Sequence, residues 1–291
     1  MKHIALFTAF ALAAGAGCAQ DNRALEKKID DLTAKVTDLQ ASVKNVAAAA
    51  GRPGAAQPGQ QRPARPQPDP SKTYAVSVDG DPFEGPANAK VTIVKAYDYG
   101  CPFCQRVRPT MDELRKKYGD DVRIVHKQFV VHPQVEIAHL AACAAHRQGK
   151  FVEMDALLWA KAFETRQYDD AHIADLAKEA GLDAGRFAAD MKSPDCKAWL
   201  QKDQAELQTF GVGATPSFFV NGRFLSGAQP LPAFAQLVDE ELKKANDRIA
   251  AGTPQADYYK TWVVDKGEKK LAAPDAPVAP GGAAVAKPAG K

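Results

Sequence analysis

The chain has 291 residues, 45% of them hydrophobic and 25% charged, and 38 basic against 35 acidic side chains leave a net charge of +3. That near balance, with no basic stripe interleaved with aromatics, argues against a nucleic-acid partner. The length allows one domain of ordinary size plus extensions, and alanine-rich termini inflate the apolar fraction, so the core must come from the middle of the chain.

The N-terminus reads as an export leader. Lys2 and His3 precede an apolar run from Ile4 to Ala14, which passes into Gly15-Ala16-Gly17 and then Cys18. The run is too short for a stable membrane span. Residues 1–18 resemble a bacterial lipoprotein leader with Cys18 as the lipidation site, although Gly15 stands where that signal usually has a large apolar residue. An ordinary cut after Ala19 is the alternative. Either places the chain in the periplasm or cell envelope, where disulfides persist. A lipid at Cys18, followed by Ala19 rather than Asp, would tether it to the outer membrane.

Residues 22–48 carry a short heptad pattern. Leu25, Leu32, Leu39 and Val46 occupy d, with Ile29, Val36 and Val43 at a, a mix that favours a parallel two-stranded coiled coil. Lys28 and Lys35 fall at g, but Thr33 and Gln40 at e offer no opposite charge. A homodimer through residues 25–46 is one reading, with a trimer also open. A single amphipathic helix lying on a membrane or on the domain is the other. Residues 49–72, rich in Pro, Gln, Arg and Gly, form a semi-extended linker. Beyond residue 266 an Ala/Pro/Gly/Lys-rich tail runs to 291 and is expected to be disordered.

The domain between them, 73–265, opens with a strand at Tyr74–Val78 and a second at 91–98. Cys101-Pro102-Phe103-Cys104 follows, ahead of a helix over 103–118 with apolar residues at Val107, Met111 and Leu114. A strand feeding a helix through C-x-x-C reads as a redox motif. At the helix N-terminus, unpaired N–H groups and the macrodipole favour a Cys101 thiolate, which makes Cys101 the attacking sulfur and Cys104 the resolving one. Half a zinc site or a purely structural disulfide are the rivals, the zinc reading weakened by the lack of a second C-x-x-C. A third strand spans 122–130 and several helices fill about 134–210. Strands at Ser217–Val220 and Arg223–Ser226, joined by Asn221-Gly222, precede a closing helix over 231–250. Ser193 before Pro194 reads as a helix N-cap, and Gly211 as a helix terminator.

Cys101–Cys104, the approach VTIVKAYDYG, the strand Val122–Phe129 leading to His132-Pro133, and Thr215-Pro216-Ser217-Phe218-Phe219-Val220-Asn221-Gly222 together resemble the DsbA-like thiol-disulfide oxidoreductases of the thioredoxin superfamily. The likeness covers roughly residues 74–265. It implies an α/β, thioredoxin-like fold with an inserted helical subdomain, here preceded by a short coiled-coil helix. It also implies a cis Pro216 facing the cysteine pair and a Thr215 backbone that binds an extended substrate. Phe103 is the aromatic expected at the surface beside the sulfurs, while Tyr97, Tyr99, Phe218 and Phe219 are expected in the core. Lacking a histidine's polar atoms, Phe103 suggests a milder oxidant.

Two features depart from, or add to, that pattern. The family often has a buried acid six residues before the first cysteine, proposed to relay protons; here it is Lys95, with Lys127 near the usual partner position. Two buried ammoniums side by side would be costly, so either Asp98 supplies a counter-charge or one lysine reaches water. Proton relay through the site is therefore in doubt. Cys143 and Cys196 are the remaining pair; related sequences carry cysteines at similar places, and a structural bridge between them is the reading favoured. Its loop would contribute on the order of 4 kcal/mol by the chain-entropy account. His139, Cys143 and His146 share one helix face and could ligate a metal, but surface histidines beside a disulfide account for them without one.

The function expected is disulfide exchange with exported proteins, with no cofactor and an unidentified redox partner. An oligomeric isomerase or reductase using the same site is the alternative, and a non-enzymatic envelope scaffold stands third.

Overall fold

The computed structural model describes residues 15–50 and 67–271, with side chains described over 25–42 and 67–271. The expected leader over 1–14, the Cys18 side chain, most of the linker and the tail beyond 271 lie outside the described residues. The chain divides into two units, 1–63 and 64–291.

The first unit contains helix α1, Gly15–Ala50. Leu25, Ile29, Leu32, Val36 and Leu39 are 52–66% exposed along it, so these five seam positions are exposed.

The second unit is built on a five-stranded sheet of β1 (Phe83–Glu84), β2 (Val91–Tyr97), β3 (Val122–Gln128), β4 (Ser217–Val220) and β5 (Arg223–Ser226), ordered β1-β3-β2-β4-β5. β2 and β3 run parallel, which requires a crossover, supplied by α2 (Pro102–Tyr118); the other pairs are antiparallel. β2 is buried along its whole length, as its nearly continuous apolar sequence demands of a central strand. On one face Val91, Ile93 and Ile124 pack with Val107, Met111 and Leu114 of α2 and with Phe234 and Val238 of α8 (Leu231–Ala250). On the other, Val94, Ala96 and Val125 pack with Tyr74, Phe210 and Phe219. The Asn221-Gly222 turn has φ of 42° and 82°, the positive pair that a tight hairpin between β4 and β5 needs.

Five helices interrupt the sheet between β3 and β4: α3 (Glu136–His146), α4 (Phe151–Leu157, extended by a wide turn over Leu158–Phe163), α5 (Asp170–Glu179), α6 (Ala184–Met191) and α7 (Pro194–Thr209). Trp159, Met154 and Leu158 fill their shared core, which also receives Tyr97, Tyr99 and both motif cysteines. Ser193 caps α7 by accepting the Cys196 N–H at 3.2 Å, and Gly211 ends it with φ of 80°.

Two expectations change. Tyr74–Val78 is not a strand, because its donors are divided: Tyr74 N–H goes to the Gly222 carbonyl and Ala75 N–H to that of Glu268. The edge position beside β3 goes instead to Phe83–Glu84. The folded unit also reaches beyond 73–265. Asp69 N–H donates to the Tyr74 hydroxyl at 2.8 Å, and Leu271 N–H to the Thr209 carbonyl at 2.8 Å.

Candidate active site

Sheet register brings the two motifs together. Ala96 of β2 lies opposite Ser217 of β4, and these strands are antiparallel, so the residues following Ala96 run beside those preceding Ser217. Cys101 is the N-cap of α2, with extended φ and ψ, and its Sγ donates to the Thr215 carbonyl at 3.2 Å. The Thr215–Pro216 bond is cis. Both cysteines are free thiols, Cys101 4% and Cys104 3% exposed, while Phe103 between them is 49% exposed under the Arg106 guanidinium.

The two sulfurs are driven apart in acidity. Cys101 is pulled down to about 6, first by a hydrogen bond from Cys104, then by the Thr215 side chain and the N–H groups of Cys104 and Phe103 at the helix tip, against the opposing effect of burial. Burial, followed by the hydrogen bond and charge of Cys101, pushes Cys104 strongly up. One sulfur is therefore a thiolate near neutral pH and the other keeps its proton.

A carboxylate fixes the turn that presents Cys101. Asp98, fully buried, accepts from Gly100 N–H at 2.6 Å, Val131 N–H at 2.5 Å, His132 N–H at 2.9 Å and His132 Nδ1 at 3.0 Å. Its oxygens are thus committed to backbone and His132, and it does not neutralise a lysine. Behind the turn, Tyr99 donates to Asp155 at 2.8 Å and Tyr168 donates to the Tyr99 carbonyl at 2.8 Å. Sequence reasoning missed Asp155 and Tyr168, because both come from the helical insertion with no local motif around them.

The two lysines are not neighbours. Lys95 pairs in register with His126, and Lys127 with Ala96, so strand alternation sends them to opposite faces. Lys127 is fully buried against α7, with Asp81 at 2.7 Å, Asp203 at 2.8 Å and Glu206 at 3.0 Å. Lys95, 5% exposed, stays buried on the α2 face without a carboxylate within 4 Å among the described residues, its Nζ 4.8 Å from the Tyr97 ring centre. Neither expected solution, Asp98 or an escape to water, applies.

Cys143 and Cys196 form a disulfide joining α3 to α7. That occupies the sulfur of the candidate metal face. His139 is fully buried, contrary to the expected surface position, with Nδ1 2.5 Å from the Gln128 side-chain oxygen; His146 Nε2 lies 3.0 Å from the Gly80 carbonyl. The described residues hold no cluster of three or more His, Cys, Asp or Glu suited to a metal ion.

This fold and dithiol define a class, thioredoxin-like domains with a C-x-x-C dithiol and a helical insertion between β3 and β4, a fold that DsbA structures share. The thioredoxin family's model matches residues 77–240, more than half of the chain, and the chain belongs to that family. A thioredoxin-like oxidoreductase from Silicibacter pomeroyi DSS-3 is 27% identical, with a TM-score of 0.52 over 57% of this chain and 94% of that one. The thiol-disulfide exchange protein alpha-DsbA2 of Wolbachia pipientis, 20% identical, shares the fold at a TM-score of 0.50 over 55% of this chain and 86% of its own. Among curated proteins, the chain is 37% identical over 150 residues to a Na(+)/H(+) antiporter NhaA of Herminiimonas arsenicoxydans, covering 51% of this chain and 23% of that one. The chain thus spans about a quarter of that relative's length, and no helix among the described residues is long and apolar enough to cross a membrane.

Proposed function

We propose that this protein exchanges disulfides with exported proteins in the cell envelope. Cys101 attacks or is attacked, Cys104 resolves the mixed disulfide, and Thr215-Pro216, with Phe103 alongside, receives the substrate backbone. The observation that carries this reading is the split pair of thiols, with Cys101 brought down to about 6 and held 3.2 Å from the Thr215 carbonyl. A thiol with a lowered pKa is more fully ionised near neutral pH and leaves more readily, and its protonated neighbour is kept in reserve for the second step. The structural disulfide between Cys143 and Cys196 fits an oxidising compartment. Replacing Cys101 by Ala should abolish insulin reduction and thiol oxidation; undiminished activity would refute the assignment.

A second reading rests on α1. Its exposed apolar seam suits self-association, and joining several catalytic domains gives a shared cleft for misfolded substrates, the arrangement of an isomerase. Mass measurement in solution separates the two: a monomer removes the reason for the isomerase, whereas an oligomer that Leu32→Lys dissociates supports it. Lipidation at Cys18 belongs to the same proposal, as a tether, and a shift in mass after expression in a lipoprotein-competent host tests it.

A further inference from the structure

The surface around the dithiol carries an uneven charge. Phe103, exposed between the two cysteines, lies under the Arg106 guanidinium, whose carbon is 4.6 Å from the ring centre. A second guanidinium stands across the first turn of α2. Gln105 Nε2 donates to Glu164 Oε1 at 3.1 Å, which ties that turn to the residues just after the wide turn over Leu158–Phe163. Arg166 follows two positions later, its guanidinium carbon 4.0 Å from the centre of the Phe163 ring. Both arginines are exposed, and neither has a carboxylate within 4 Å among the described residues. Stacking on a ring holds a guanidinium in place while leaving its N–H edges free for an acid.

Contacts link both arginines to the residues that present the sulfurs. Phe103 is part of the motif, and Phe163 belongs to the core that receives Cys101 and Cys104. Tyr168, whose phenol feels the Arg166 charge, donates to the Tyr99 carbonyl at 2.8 Å, two residues before Cys101. Little negative charge offsets them. The first turn of α2 has no acid. Residues 211–215, ahead of Pro216, carry no charged side chain, and neither do residues 227–230, which join the same rim where Gly227 N–H donates to the Pro216 carbonyl at 2.9 Å. Asp98 is fully buried and bound by four donors, and Asp169 caps α5 by accepting the His172 N–H. Asp170 faces a separate hollow with Ile137 and Leu140, and Glu164 is held by Gln105. Arg108, by contrast, is engaged over Trp159 and 3.9 Å from Asp155.

Resting on the exchange reaction above, we propose that Arg106 and Arg166 select polypeptide substrates that carry Asp or Glu beside the reacting cysteine. An extended segment advances about 3.3 Å per residue, so side chains one to three positions from a sulfur bonded to Cys101 come within reach of these guanidiniums. A carboxylate there accepts paired N–H bonds from an arginine fork, whereas a lysine there meets like charge. The preference runs against intrinsic thiol chemistry. Acidic neighbours repel an attacking thiolate, so a faster reaction of an acidic substrate must come from charge that the protein supplies.

The test uses the full chain, reduced, and three fluorescence-quenched peptide disulfides that differ only in having Asp, Ser or Lys on both sides of the cysteine. Each rate is measured by stopped flow and normalised to the rate of the same peptide with dithiothreitol. At low salt the wild type should favour the Asp peptide over the Lys peptide by about 10-fold. The ratio should fall toward one at about 1 M salt, where screening acts within about 3 Å. Arg106→Glu should flatten or reverse the preference, and Arg106→Lys, which keeps the charge, should retain most of it. Arg166→Asn, chosen because asparagine tolerates the φ of 58° at that position, should cut the ratio by about 2-fold to 3-fold. A ratio between two substrates of one protein cancels any change in folding or in the Cys101 thiolate, so a merely structural role would not move it. Equal normalised rates for the three peptides with the wild type, or a preference that Arg106→Glu leaves in place, would overturn the proposal. Failure of every peptide to react would instead refute exchange at Cys101 itself.

Discussion

Lys95 and Lys127 sit on adjacent strands of one sheet, both buried, and the molecule treats them in opposite ways. Lys127, on the α7 face, is surrounded by Asp81, Asp203 and Glu206. Burial works against its charge, but Asp203, Asp81 and Glu206 together carry it above its ordinary value. Lys95, on the α2 face, is pulled down by burial and has no carboxylate within 4 Å among the described residues. The first arrangement holds a charge among three acids and pins α7 to the sheet; the second holds a lysine that burial pulls down and that no carboxylate pairs within 4 Å among the described residues.

The largest effect should come from cutting the first. Lys127→Met would strand three carboxylates in the interior, and loss of one partner of a buried ion cluster costs about 3–5 kcal/mol. Urea denaturation should show that loss, whereas Lys95→Met, which removes an unpaired amine and leaves an apolar chain of similar size, should cost under about 1 kcal/mol. Equal losses in the two variants would erase the distinction drawn between the faces. Next in size is Asp98→Ala. Four donors converge on that carboxylate, and stranding buried donors costs about 1–3 kcal/mol. Exchange activity should fall further than stability alone explains, because the turn presenting Cys101 loses its anchor; an active Asp98→Ala enzyme would contradict that role.

How much of this was legible in the chain differs between the same two faces. The C-x-x-C pair, Thr215-Pro216 and the Asn221-Gly222 turn are local patterns whose backbone chemistry is written in adjacent residues. Strands β4 and β5 and helix α8 accordingly fall where periodicity and turn residues put them. The lysines were misjudged for a nonlocal reason. Whether Lys95 and Lys127 meet depends on a register between β2 and β3 that nothing in either strand announces, and a shift of one residue moves a side chain to the other face. The carboxylates around Lys127 come from position 81 and, more than a hundred residues later, from 203 and 206. Tyr74–Val78 failed as a strand for a related reason, since its partners are a hairpin tip and a C-terminal segment far along the chain.

On the reactive face, pH sharpens the contrast through Cys101. Its folded-state value of about 6 lies below the roughly 8.5 of a free cysteine. A depressed group stabilises the folded dithiol above the unfolded value, and that contribution is lost as pH falls through about 6. Alkylation of Cys101 by iodoacetamide should therefore rise with a midpoint near 6, while Cys104 stays unreactive across the same range. Cys104→Ala should move the Cys101 midpoint upward, because the hydrogen bond from Cys104 is the leading cause of the depression. A midpoint that stays put in that variant would assign the acidity to the helix tip instead.

The smallest effect belongs to the quiet face, where the sign of a pH dependence is reversed. Asp203 is pushed up to about 7, first by burial and then, against Lys127, by the like charge of Asp81. Its unfolded value is near 3.9, so between about 4 and 7 the folded protein binds the proton more tightly than the unfolded chain does. That contribution is complete below the unfolded value and disappears as pH rises through about 7, opposite to the Cys101 case. Asp81→Asn removes the repulsion that keeps Asp203 high while leaving Asp203 and Glu206 to balance Lys127. Its net cost at neutral pH should be small, about 1 kcal/mol or less, since a lost attraction is offset by relief between carboxylates. The measurable signature is the slope: denaturation midpoints between pH 4 and 7 should vary less in Asp81→Asn than in the wild type. A steeper slope in that variant would mean that Asp81 supports the Lys127 charge more than it opposes Asp203, and the cluster would then be one indivisible ion group, not a lysine with a surplus of acids.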